Sequence, residues 1–285
     1  MYADDNISPT KFRKNPRLVL RWIFHRLTTS WRALPDFLIV GTQKGGTTSL
    51  FNYLIRHPQV LSPLRKEIKF FDSNFFRGLS WYRAHFPLKS KLGGAHALTG
   101  EASPYYMYHP TAPKRIKQAL PSVKIIAILR NPVDRAYSHY QHMVRVGHED
   151  LPFEEAIAKE VERLAGEAEK IAVDPTYPQY RHIQYSYLER GHYVNQVQKL
   201  YCLFPEENIL ILKSEDLYSQ PANVMNATFA FLDLPLKELG KYEVFKQGTY
   251  RGGMESKTRQ KLVDYFHSYN QQLYDLLGMK FDWDK

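Results

Sequence analysis

The stretch DFLIVGTQKGGTTSL, Asp36 to Leu50, constrains the fold of this chain more than any other. Its short, continuous apolar start reads as a strand buried on both faces of a parallel sheet. After a glycine-rich turn, TTSLFNYLIR (Thr47 to Arg56) reads as a helix with Leu50, Tyr53 and Leu54 on one face, stopped by His57-Pro58. A turn from a parallel strand into a helix aims backbone N–H groups at one point and adds the positive end of the helix dipole, so it is a ready site for phosphate. Gly41, Gly46 and Thr48 match the pattern G-x-x-x-x-G-K-[ST] of kinase-type phosphate loops. The lysine is displaced: Thr47 fills its place, and Lys44 stands three residues earlier, before Gly45. The hydroxyls of Thr47, Thr48 and Ser49 add donors at the helix start.

The same alternation continues along the chain. VKIIAIL (Val123 to Leu129) and NILILK (Asn208 to Lys213) read as further strands, and Glu101 falls at a strand end in TGEASPYY. Helices are expected from about Val133, over Leu151 to Lys170, and over Thr258 to Leu277. In the second of these, Phe153, Ile157, Val161 and Leu164 make an apolar stripe under an acidic outer face. This pattern predicts an α/β fold of the P-loop type, three layers with a central, mostly parallel sheet flanked by helices. No Gly/Ser linker divides the body, so residues 36–285 read as one domain behind a basic extension, residues 1–35.

A metal-dependent kinase needs an acidic residue at the end of a second strand to help hold Mg²⁺. Here VKIIAIL ends in Arg130. An arginine there sits in the ligand crevice of an open α/β sheet and can grip a second phosphate bidentately. Ser138, eight residues on, can reach the same group. The histidines show no metal-ligand spacing, so no metal is expected.

Together these residues resemble the sulfotransferases that use 3′-phosphoadenosine 5′-phosphosulfate (PAPS), in the branch of the heparan sulfate enzymes and their bacterial relatives. GTQKGGTTSL is similar to the family's 5′-phosphosulfate loop, and LRNPVDRAYSHY (Leu129 to Tyr140) to its 3′-phosphate motif. KEIKFFD, GLSWYRAHFP and GEASPYY favour the glycan-type branch. The resemblance implies that Lys44 meets the oxygen bridging sulfur and phosphorus, and that Gly45, Gly46, Thr47, Thr48 and Ser49 hold the 5′-phosphate. Arg130 and Ser138 would hold the 3′-phosphate, with 3′-phosphoadenosine 5′-phosphate (PAP) as product. Glu67 is the implied base, its ionised form favoured by Arg65, Lys66 and Lys69 if they lie close. Glu101 is the second choice; a histidine base would have to be His109 or His139. Where relatives commonly have a lysine after that glutamate, this chain has Ala102. Arg251 and Gly252 match a loop that closes over the nucleotide, and Tyr82, Tyr105 and Tyr106 are placed near the acceptor. The implied acceptor is a carbohydrate hydroxyl or amine, with small molecules, lipids and peptides open. A variant kinase, or a non-catalytic binder of PAP or anionic glycans, is the alternative.

Net charge is +10, and the first 35 residues carry seven basic side chains against two acidic ones. No zinc finger, RNP pattern or helix-turn-helix accompanies the charge, so nucleic acid is not an expected partner. In the extension Arg17, Arg21 and His25 recur at helical spacing, with Leu18, Leu20, Trp22, Phe24 and Leu27 supplying an apolar side. Packing on its own domain is the expectation for this helix, and peripheral contact of residues 11–32 with an anionic membrane is the alternative. No spanning helix or signal peptide is expected, since Arg21, His25 and Arg26 interrupt the apolar positions. Cys202, the one cysteine, reads as a small buried side chain, and a chain without disulfides fits the cytoplasm.

Overall fold

The computed structural model describes residues 16–93, 97–243 and 253–284. In chain order the elements are α1 (Pro16–Leu27), β1 (Phe37–Gly41), α2 (Thr47–Leu54), β2 (Val60–Leu61), α3 (Gly78–Arg83) and β3 (Leu98–Ala102). There follow α4 (Ala112–Ala119), β4 (Lys124–Leu129) and α5 (Pro132–Arg145). Four short helices come next: α6 (Phe153–Ala158), α7 (Glu160–Leu164), α8 (Glu167–Val173) and α9 (Tyr180–Gln184). The chain ends through α10 (Tyr193–Leu203), β5 (Ile209–Lys213), α11 (Ser214–Ser219), α12 (Pro221–Phe231) and α13 (Ser256–Leu277).

The five strands form one parallel sheet in the order β2-β3-β1-β4-β5. β1 is central, with Leu38 opposite Glu101 on one side and Ile125 on the other. The chain leaves β1 for β2 and β3 on one side and later crosses to β4 on the other, so the crevice at the C-terminal end of β1 is the switch point where such sheets bind ligands. Alternate residues of the central strands feed two cores. Leu38, Val40, Ile125 and Ala127 meet Ile116 of α4, Val197 of α10 and Leu273 of α13. Phe37, Ile39, Ile126 and Ile128 meet Leu50 of α2 and Met225 and Phe229 of α12. Full burial of an aliphatic or aromatic side chain stabilises by about 1.5–3 kcal/mol, so the strands that carry the site's loops are the best-anchored part of the molecule.

The single helix expected over Leu151–Lys170 is instead three, α6, α7 and α8. Val161, one of its four apolar positions, is 83% exposed, while two of its acids, Glu160 and Glu167, are buried. Glu160 turns inward to accept the backbone N–H groups of Leu188 (2.6 Å) and Glu189 (2.8 Å), and Gly166 at φ +72° breaks the path before α8. Cys202 is exposed, not buried. On α10 the inward stripe is Tyr193, Val194, Val197 and Leu200, and a residue nine beyond Tyr193 lies half a turn away. The N-terminal segment joins the body at its end: Arg32 donates to the Phe86 carbonyl (2.8 Å) and Ala33 N–H to that of Pro87 (3.0 Å). No helix among the described residues is long and apolar enough to cross a membrane.

Candidate active site

The loop after β1 is fastened on both sides. Thr42 N–H donates to the Ile128 carbonyl of β4 (2.8 Å), and Gly45 N–H turns back to the Thr42 carbonyl (3.0 Å). A Cβ on residue 45 would lie 2.6 Å from the Ile128 carbonyl oxygen, so only glycine lets the loop pass this close to β4. Gly46 takes φ +99° and sets the first turn of α2. Lys44 also adopts positive φ, 70°, an uncommon state for a residue with a side chain. Its carbonyl accepts from Arg130 Nη1 (3.2 Å), which brings the displaced lysine and the strand-end arginine to one crevice.

Arg130 is held from behind, its own carbonyl accepting the Tyr193 hydroxyl (2.9 Å). Asn131 then caps α5, its side-chain oxygen accepting from Val133 N–H (3.0 Å) and Asp134 N–H (3.4 Å). The sequence signal for this was present: asparagine before proline at a helix start caps in this way. Ser138 lies within α5, 4% exposed.

The second half of the site is the segment 66–71. Lys66 Nζ donates to Thr48 Oγ1 of the phosphate loop (2.8 Å) and to Glu67 Oε1 (3.0 Å). Glu67 is thereby tied to the start of α2, with its side chain 30% exposed. Of the three basic neighbours expected to act on Glu67, Lys66 is the one whose ammonium lies on its carboxylate. Glu67 and Lys69 both take φ 55°, so the segment is a sharp double bend made without glycine. Such conformations persist only when surroundings dictate them. Here the surroundings are GEASPYY: Ile68 N–H donates to Glu101 Oε2 (3.1 Å), Lys69 N–H to Ser103 Oγ (3.3 Å) and Phe70 N–H to the Tyr106 hydroxyl (2.8 Å).

Glu101 is the hub of that bracket. It is fully buried, and Oε1 accepts from the Tyr82 (2.7 Å) and Tyr106 (2.9 Å) hydroxyls, while Oε2 accepts from Ser103 Oγ (3.0 Å) as well as from Ile68. Burial raises its pKa from 4.5 to about 7, against the pull of those four donors. Tyr82 and Tyr106 are 0% exposed and present no surface to a ligand in this structure; they pack and orient Glu101 rather than lining a cleft. Tyr105 is also buried, its hydroxyl 2.6 Å from His182 Nδ1. Ala102 faces the core beneath α2, among the residues packed with Phe37 and Leu50. His109 and His139 are fully buried, and burial lowers the pKa of both, that of His109 to about 3. Arg251 and Gly252 lie outside the described residues.

One participant escaped the sequence reading. Arg190, 1% exposed, donates through Nη1 to Gln43 Oε1 in the phosphate loop. Its guanidinium lies over the rings of Tyr105 (5.1 Å) and Tyr108 (4.9 Å) and donates to the His182 carbonyl (3.3 Å). It links the loop to α9, and nothing in its local sequence marks a partner so distant along the chain. Among the described residues no three His, Cys, Asp or Glu side chains cluster as metal ligands.

The model of the sulfotransferase domain family matches residues 34–263. A membrane-associated sulfotransferase of Dictyostelium discoideum (kil1) is 28% identical over 88% of this chain and 66% of its own length. The human bifunctional heparan sulfate N-deacetylase/N-sulfotransferase 3 is 33% identical over 86% of this chain. That match spans 30% of the human protein, so the chain corresponds to under a third of that relative. The crystal structure of a sulfotransferase from Alicyclobacillus acidocaldarius superposes with a TM-score of 0.70 at 29% identity, over 89% of this chain and all of that one.

Proposed function

The chain belongs to the sulfotransferase domain family, and on that premise we propose that it moves the sulfuryl group of PAPS to a carbohydrate hydroxyl or amine, leaving PAP. The observation that carries the reading is Lys66, whose ammonium joins Thr48 of the phosphate loop (2.8 Å) to the Glu67 carboxylate (3.0 Å). The candidate base and the phosphate loop are thereby held against one ammonium.

In the proposed reaction the acceptor oxygen or nitrogen bonds to sulfur as the bond from sulfur to the 5′-phosphate oxygen breaks. The acceptor proton passes to Glu67, and the electron pair leaves with the phosphate. Charge grows on that leaving oxygen, so a fixed Lys44 ammonium beside it is worth most in the transition state. Backbone N–H groups of Gly46, Thr47 and Thr48, with the hydroxyl of Thr48, bind the 5′-phosphate at the start of α2; Gly45 N–H is already given to the Thr42 carbonyl and Ser49 is 0% exposed, so these two shape the loop in place of donating to the ligand. Arg130 and Ser138 bind the 3′-phosphate, a group that ATP lacks. Lys66 is a second cation near the sulfuryl centre and offsets the alanine at position 102. Glu101 does not exchange protons with the acceptor in this scheme; it is a positioning residue that fixes the bend carrying Glu67. The glycan acceptor rests on the relatives named for heparan sulfate N-sulfation, and the extent of the match leaves their other activity aside.

Calorimetry with PAP and with ATP, each with and without EDTA, tests the donor. Tight PAP binding indifferent to EDTA, with ATP much weaker, is the expected result. Mg²⁺-dependent ATP binding with PAP no better would overturn the reading in favour of a kinase. Labelled PAPS with an unsulfated, partly N-deacetylated glycan then tests transfer, which Glu67→Gln should abolish while PAP binding persists; PAP binding without transfer to any acceptor would leave a binder in place of the enzyme.

A further inference from the structure

α1 meets the body through Trp22 and His25. Trp22 packs edge-on to Trp81 (ring centroids 6.5 Å apart) and against His85 (4.9 Å), and His25 Nδ1 reaches the Ala84 carbonyl (2.8 Å). Just past the helix Thr28 is buried, and Arg32 donates to its Oγ1 (2.9 Å). The apolar stripe points the other way. Leu20 is 66% exposed, Ile23 46%, Phe24 53% and Leu27 78%, and Trp31 beyond the helix end is 67% exposed. Spacings of three, four and seven residues put the four helical positions on one face, opposite Trp22.

A helix that merely packs on its own domain turns its apolar stripe inward. This one is held by an indole and an imidazole and turns its aliphatic and aromatic side chains to the outside.

The charge around the stripe says what covers it. The sequence has no acidic residue between Asp5 and Asp36, and within that interval it has seven lysines and arginines. Arg26 is exposed next to Leu27. On the body side Lys91 lines the groove shared by Phe24, Arg32, Leu64 and His85. A second copy of the chain would bring the same basic charge to the contact. An apolar ridge with large side chains, set in an acid-free basic field, fits the interface of an anionic bilayer, where tryptophan and basic side chains sit at headgroup depth.

We propose that the outward face of α1, with Trp31, is a peripheral docking surface for anionic membrane, which holds the domain at a lipid surface. The proposal is independent of the reaction assigned above.

The full chain is tested by flotation with vesicles of phosphatidylcholine alone and of phosphatidylcholine with phosphatidylserine, alongside light scattering without lipid. Binding to the phosphatidylserine vesicles, weakened but not abolished by salt, is expected. Leu20→Ser with Leu27→Ser should weaken it about tenfold or more. Both side chains are outside the core, so the unchanged thermal transition and PAP affinity of the double variant exclude a folding defect. The proposal is overturned by an absence of binding to the anionic vesicles, by equal binding of the variant, or by a concentration-dependent dimer that the double substitution dissolves.

Discussion

Glu101→Gln separates a positioning carboxylate from a proton-transfer group, and its effect can be worked from the bracket around it. Four donors meet the carboxylate, two at each oxygen. A glutamine of the same shape keeps its carbonyl on Ile68 N–H and Ser103 Oγ and turns its NH₂ to the Tyr82 and Tyr106 hydroxyls, which can rotate to accept. The substitution opens no cavity, and the charge-assisted hydrogen bonds it removes, worth about 1–3 kcal/mol, exist only where Glu101 is ionised, above its pKa of about 7. The pH dependence is more telling. With its pKa raised from 4.5 unfolded to about 7 folded, the native state binds the proton more tightly than the unfolded chain. The stability contributed by the protonated group is therefore full below about 4.5 and is lost as pH rises through about 7. Between about pH 5 and about pH 8 the loss is on the order of 2–3 kcal/mol. Asp72 and Glu160, also raised by burial to about 6 and about 7, titrate in the same range but are common to both proteins. Urea unfolding of wild type and Glu101→Gln at the two pH values gives the difference free of them. The advantage of wild type should shrink by that amount as pH rises. A difference that stays constant with pH would refute the argument that burial, rather than the four donors, governs this carboxylate.

Further outcomes are expected at the phosphate loop. Lys44→Ala should lower kcat about a hundredfold or more while PAP affinity changes little, because its interaction grows as the leaving bond breaks; steady-state kinetics with PAP calorimetry checks this, and equal losses would make it a simple anchor. Arg130→Ala should weaken PAP and PAPS binding alike, by about tenfold or more, and unchanged affinity would remove it from the phosphate site. Gly46→Ala forces a side chain into φ +99° beside the Tyr218 hydroxyl, 3.1 Å from the new Cβ, so thermal unfolding should show a loss of about 1–2 kcal/mol.

Residues 36–50 were enough to specify a parallel strand, a phosphate-binding turn and a helix, because an apolar run, a pair of glycines and a helix start are all local properties of the chain. Arg130 at the end of VKIIAIL was legible for the same reason: a strand end in this fold is a known position before any contact is known. The two-residue β2 carries too few residues for a period, and the break-up of the helix expected at 151–170 depended on Glu160 finding the amides of Leu188 and Glu189. Glu101 shows the limit most plainly. Its sequence position at a strand end made it the second choice of base, and nothing local showed that Tyr82 and Ile68 would close over it from other segments beside Tyr106. Arg190 reached Gln43 only through the fold, and the periodicity of α1 defined an apolar stripe without saying whether protein or solvent would lie against it. Periodicity and turn chemistry are written along the chain, so sequence alone determined β1, β4, β5, the helices α2, α5 and α13, and the loop after β1. Burial and partnership belong to whatever stands across from a side chain, so only the tertiary structure decided which carboxylate is buried among four donors, which is tied to Thr48 through Lys66, and which face of α1 was left outside.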